Sequence, residues 1–134
     1  MSEPVAKAIL LCEYALQDRS NRWSLMATFD NVVAQSIPTQ IAPFNIFARF
    51  VDIPVKGVLT FQVEDCSGMV VWTSGPKIYE LHGIQPAKVL ETICGVPPIV
   101  AMAYGKYRVA VFIGSERVVD TALTVSEAGK NVPA

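Results

Sequence analysis

Charge is what this chain has least of. Charged residues make up 17% of its 134 positions, against about 25% in an ordinary globular domain. The signs nearly cancel, with 11 Lys and Arg against 12 Asp and Glu. There is no basic stripe to follow a phosphate backbone, so no nucleic-acid partner is expected. Histidine occurs once, at His82. One histidine cannot build a multi-histidine metal site, and no Gly-x-Ser-x-Gly elbow accompanies it. The three cysteines, Cys12, Cys66 and Cys94, are odd in number and none stands at metal-ligand spacing. A secreted disulfide framework is therefore not expected. Met1-Ser2-Glu3-Pro4 carries no basic region ahead of an apolar one, so no export signal is read there and a reducing cytoplasm is the expected compartment. No apolar run approaches the roughly 20 residues of a membrane-spanning helix. The glycines scatter at turns and form no phosphate-binding loop. The carboxylates sit in turns or alternate outward, without the dense oxygen-ligand run of a calcium loop. These absences predict no catalytic residues, no enzyme activity, and no metal or organic cofactor.

What the chain has in excess is apolar residues, at 51%, arranged in the period of two that marks β-strands. The clearest case is the last hairpin. Gly105 to Ile113 alternates, Gly114-Ser115 turns, and Glu116 to Val125 alternates back. Leu59, Phe61 and Val63 face one way against Thr60, Gln62 and Glu64. Trp23, Leu25, Ala27 and Phe29 alternate after the turn cluster Asp18-Arg19-Ser20-Asn21. Residues 5–14 are a continuous apolar run, read as a strand buried on both faces rather than a short helix. Phe44–Val51, Met69–Trp72, Lys77–Leu81 and Lys88–Cys94 complete the set, with Pro38 and Pro43 bracketing an irregular connection. Gln85 to Glu91 holds one helical turn at most. Turn signals every 8–14 residues, with no long helical segment between them, predict an all-β, antiparallel two-sheet β-sandwich. It is expected to be immunoglobulin-like, with about 8 strands, over residues 1–125, followed by a flexible tail over 126–134. The expected core is Leu10, Leu25, Phe29, Phe61, Val63, Tyr107, Val109, Val111 and Leu123.

The surplus apolar content also predicts contact surfaces. Val96-Pro97-Pro98-Ile99-Val100-Ala101-Met102-Ala103-Tyr104 is a connection by its prolines yet apolar throughout, whereas connections are normally polar. Phe112 falls out of phase with Val109, Val111 and Ile113, on the face that carries Lys106 and Arg108. Ile99, Met102, Tyr104 and Phe112 are therefore the candidate interface residues, with a second copy of the chain or another protein as the expected partner. Trp72 is the candidate contact for a small ligand or carbohydrate, the alternative reading. Cys12 and Cys94 are expected to lie buried as small hydrophobes, and Cys66, in the turn Asp65-Cys66-Ser67-Gly68, to be accessible.

Leu11-Cys12-Glu13-Tyr14-Ala15 with Asp18, Ser24-Leu25-Met26 and Phe29-Asp30 resembles the opening of a family of small uncharacterised bacterial proteins. The Val96-Pro97 step, the strand start Gly105-Lys106-Tyr107-Arg108-Val109 and the hairpin ending at Val125 are similar to that family's second half. The resemblance spans about residues 8–125 and departs from the usual pattern at Ser20-Asn21, where a turn glycine is expected. It implies a bacterial β-sandwich without an established activity, and it supplies no functional residue.

Overall fold

The computed structural model describes residues 5–82 and 89–129, with side chains from residue 8 onward. These residues form twelve strands and no helix: β1 (Val5–Gln17), β2 (Trp23–Phe29), β3 (Asn31–Ala34), β4 (Thr39–Ile41), β5 (Phe44–Val51), β6 (Lys56–Glu64), β7 (Val70–Thr73), β8 (Lys77–Glu80), β9 (Leu90–Val96), β10 (Ile99–Ala101), β11 (Gly105–Ile113) and β12 (Glu116–Glu127). They make three sheets. One runs β2-β1-β5-β9, one is the pair β10-β4, and the largest runs β3-β12-β11-β6-β7 with β8 also paired to β6.

The alternating segments fold as their period requires. Phe61 and Val63 of β6 stand opposite Val111 and Val109 of β11, and Leu123 of β12 stands opposite Tyr107. All six are buried. They share one core with Leu11 of β1, with Phe44, Ile46, Ala48 and Phe50 of β5, and with Cys94 and Val96 of β9. The core thus joins apolar faces from the four-stranded and the largest sheets, together with Ile41, Ile99 and Ala101 of the small sheet.

Five expectations need correction. Leu10 is 44% exposed; Leu11 is the buried member of that step. Leu11 pairs with Ile46 and Phe29, whereas Leu10 pairs with Phe47 on the opposite face. Both phases of this run are apolar, so period alone could not assign the inward one. Leu25 and Phe29 are only half-buried, because β2 is an edge strand; Phe29 still sets its ring edge against Phe44 at 5.6 Å. The strands exceed eight because β3, β4 and β10 are short and lie in segments read as connections. One pairing is parallel, β3 with β12. Finally, β12 continues through Glu127, so residues 126–127 are ladder and not tail; residues 130–134 lie outside the described residues. Most of the possible helical turn at 85–91 also lies outside them, and Leu90 and Glu91 belong to β9.

The β1–β2 hairpin does not stay flat. The Trp23 ring stands 6.4 Å from the ring of Phe47. Trp23 pairs with Gln17, and Phe47 pairs with Leu10. Seven residues of straight β1 would hold them about 23 Å apart. The far half of the hairpin must therefore turn back across the sheet. Two features mark the bend. The β1–β5 pairing ends at Cys12↔Asn45, and the Asn45 side-chain amide donates to the next carbonyl, that of Glu13, at 3.0 Å. In β2, Ala27 takes a left-handed φ of 57°. Phe47 and Cys12 are buried although neither belongs to the main core, which fits a second, smaller apolar layer at this bend.

Candidate interaction surface

The turn from Asp65 to Gly68 builds one side of an apolar hollow on the surface. One oxygen of Asp65, Oδ1, accepts from Ser67 N–H at 2.9 Å, Ser67 Oγ–H at 2.7 Å and Met69 N–H at 3.0 Å. Backbone bonds Asp65 N–H to Met69 C=O and Gly68 N–H to Asp65 C=O close the turn, and Gly68 supplies the required positive φ of 89°. The hydroxyl of Ser67, then the backbone of Met69, stabilise the charged carboxylate and hold its pKa below the ordinary Asp value.

This turn presents Cys66 to the start of β11. The thiol reaches Tyr104 C=O at 3.5 Å. It sits where a side chain on Gly105 would stand, since a Cβ there would lie 2.8 Å from Sγ. Gly105 also has φ 140°, so two independent constraints demand glycine. Below lies Tyr107, buried, its hydroxyl donating to Ala103 C=O at 2.8 Å. Burial, opposed in part by that bond, raises the Tyr107 pKa and keeps the phenol neutral.

The resulting hollow, about 150 Å³, is lined by Cys66, Val71, Val100, Met102, Ala103 and Tyr107 together with Asp65 and Ser67. Its apolar lining is exposed in part: Met102 is 70% exposed, and Val71 and Val100 are exposed as well. The hollow lies between two strand edges, because β7 ends the largest sheet and β10 belongs to a two-stranded one.

Of the candidate interface residues, Met102 is therefore at this surface. Ile99 is not: it is buried, paired with Ile41 in the small sheet. The connection was apolar partly because it contains a strand of its own, and in β10 Ile99 and Ala101 face in while Val100 faces out. Tyr104 is half-buried, its hydroxyl donating to Ala34 C=O at 3.4 Å. Phe112 lies on another face, beyond a bulge in the β11–β12 ladder. The Arg117 guanidinium stands over its ring at 5.3 Å, so the ring is already engaged. Arg117 also bonds the Glu64 carboxylate and reaches Asp120 at 3.3 Å. Glu64 is the one buried charged residue among those described, and Gln62 Nε2 donates to it at 2.7 Å. The hydrogen bond to Glu64 raises the Arg117 pKa, against the lowering effect of burial. Trp72, the candidate ligand contact, is half-buried and packs against the core; it does not line the hollow. Val71 of the lining was not singled out by the sequence, where Met69–Trp72 reads as an ordinary short strand.

All three cysteines are free. Cys66 is exposed and Cys12 and Cys94 are buried, as expected, and burial raises the pKa of both inner thiols. His82 is exposed. Among the described residues no three His, Cys, Asp or Glu side chains come together in a way that could hold a metal ion, and no helix is long and apolar enough to cross a membrane.

A family model described as a family of unknown function (DUF6941) matches residues 7–126. The chain belongs to that family. The match takes in every described strand but the outermost residues of β1 and β12, so the family's shared fold includes both sides of the hollow. No curated protein matches the chain.

Proposed function

We propose that this member of the DUF6941 family is a non-enzymatic protein-interaction module on an immunoglobulin-like β-sandwich. The sandwich reading is supported by the single core that residues of the four-stranded and largest sheets share. The interaction reading is carried by one observation: three exposed apolar residues from two separate segments, Val71, Val100 and Met102, line one hollow. Single exposed apolar residues are ordinary on a protein surface, but a cluster around a concavity marks a contact site. The hollow would take one apolar side chain of a partner protein, with Asp65 and Ser67 at its polar edge. Three free cysteines suit a reducing compartment such as the cytoplasm. The small-ligand alternative, through Trp72, has less support, since that ring packs inward.

Peptide display tests this reading. Peptides selected on the wild-type chain should carry an apolar anchor, should shift the Met102 methyl resonance, and should lose binding to Met102→Glu and Val100→Glu. Selected peptides that bind these variants as well as the wild type would refute the site. Glycans, screened in parallel, should give no binding that depends on Trp72.

A further inference from the structure

We infer that the partner segment filling the Met102 hollow carries a basic side chain, lysine or arginine, beside its apolar anchor, and that Asp65 receives it. This step rests on the interaction reading above and adds the charge of the partner. Asp65 is the one charged residue in the lining of the hollow. It is half-buried, and no ion pair among the described residues engages it. By contrast, Glu64, Glu91 and Asp120 each already pair with an arginine of the chain. A hollow of about 150 Å³ is about two strand rises across. An extended segment whose anchor fills it therefore reaches Asp65 with a side chain within about two residues of that anchor.

The side chains of the lining have acceptors left to offer, not donors. Ser67 Oγ–H is spent on Asp65 Oδ1 at 2.7 Å, Tyr107 O–H on Ala103 C=O at 2.8 Å, and the Cys66 thiol is turned to Tyr104 C=O at 3.5 Å. No other side chain of the lining can donate. Asp65 takes its three turn bonds on Oδ1, and Oδ2 accepts none of them. The turn thus fixes the carboxylate without neutralising it. Its charge reaches the floor of the hollow: burial leads in raising the Tyr107 pKa, and the Asp65 charge adds to it. An acidic side chain brought to this edge would be repelled. A neutral one would leave the carboxylate unpaired while the anchor excludes water beside it. A cation pairs with Oδ2 and supplies the donors that the lining lacks. Val71, Val100 and Met102 would hold the anchor, and Asp65 would select the charge next to it.

Peptides displayed against the full chain test this, with Asp65→Asn as the variant, because asparagine keeps an Oδ1 acceptor for the turn and loses the charge. Thermal melting checks that the variant folds. Peptides selected on the wild type should carry lysine or arginine within about two residues of the anchor, and no acidic residue there. Such a peptide should bind Asp65→Asn about threefold to tenfold more weakly than the wild type. With glutamine in place of its basic residue it should lose as much on the wild type, and no more on Asp65→Asn. Its binding to the wild type should also weaken as salt is raised toward about 1 M, a readout that needs no variant. Asp18→Asn, in a turn outside the lining, should leave binding unchanged. Peptides that need Met102 but show no basic preference, and bind Asp65→Asn as well as the wild type, would overturn this inference and leave the hollow as the contact site. Peptides indifferent to Met102→Glu would overturn both. An equal loss on Asp18→Asn and Asp65→Asn would trace the effect to net charge and overturn the role of Asp65.

Discussion

The two long hairpins of this chain are built from similar sequence and end in opposite situations. In β11–β12 one phase is apolar and the other is polar, and the ladder continues on both sides, to β6 and to β3. Tyr107, Val109, Val111 and Leu123 are buried accordingly. In β1 both phases are apolar, its partner β2 has no further neighbour among the described residues, and the far half of the hairpin bends back until Trp23 meets Phe47. Pattern fixes a strand's face only when its two phases differ. Where they do not differ, as in β1, the apolar surplus is shared between a bend and an exposed face.

The largest effect expected from this contrast is in the core. Phe61→Ala should lower stability by about 3–5 kcal/mol, as for other buried aromatic truncations. Leu10→Ala, on the hairpin that was expected to match it, should lower stability by less than about 1 kcal/mol. Paired denaturation curves check both, and equal losses would mean that Leu10 faces the core after all.

The outer face of the largest sheet offers the next test. Glu64→Ala leaves Arg117 and Gln62 without their shared acceptor and should cost about 1–2 kcal/mol, the range for a hydrogen bond to a charged group reduced for the part-exposed arginine. It should also free Phe112 from the guanidinium, which added quencher or NMR contacts would detect. A loss below that seen for an ordinary surface substitution would show the network to be ornamental.

Much of this was legible in the sequence. The single-phase strands β5, β6, β11 and β12 were, nearly to the residue. So were the turns at Asp18, Asp65 and Gly114 and the accessibility of Cys66, because each has its own local chemistry. Three kinds of feature were not. β3, β4 and β10 are three or four residues long, too short for a period of two to show, and they are held by pairing with distant strands. The burial of Ile99 follows from one of those pairings. The hollow joins Val71 and Val100, residues 29 positions apart in sequence, and only the fold puts them together. Met102 was found because an apolar connection is unusual, whereas Val71 looked like part of any other strand.

Smaller substitutions probe the bend itself. Ala27→Gly should raise stability by about 0.5–1 kcal/mol, since glycine takes a left-handed φ without the steric cost that alanine bears. Asn45→Ala removes the donor to Glu13 C=O and should cost about 1 kcal/mol. It should also shift the fluorescence of Trp23, which Phe61→Ala should leave alone until the chain unfolds. A melting temperature unchanged in both variants would argue that the hairpin is straight.

The smallest effect concerns the turns. The backbone N–H of Arg22 leads the causes that lower the Asp18 pKa, and the Ser67 hydroxyl leads at Asp65. A carboxyl depressed on folding adds stability above its unfolded pKa, near 3.9, and loses it as pH falls through the lower folded value. Stability should therefore be flat from neutral pH down to about 5 on account of these two groups, and should decline below about 4. Carboxyl NMR titration should place both below the ordinary Asp value. Either one titrating at or above that value would contradict the turn geometry.

The account rests on a proposed division of labour, in which the exposed apolar residues of the hollow make contacts and the buried ones make the fold. The most direct measurement compares Met102→Glu with Phe61→Ala by thermal melting and by peptide binding. Met102→Glu should melt within about 0.5 kcal/mol of the wild type, as surface substitutions do, and abolish peptide binding, while Phe61→Ala should lower stability by about 3–5 kcal/mol. A Met102→Glu variant that unfolds, or that binds as the wild type does, would contradict it.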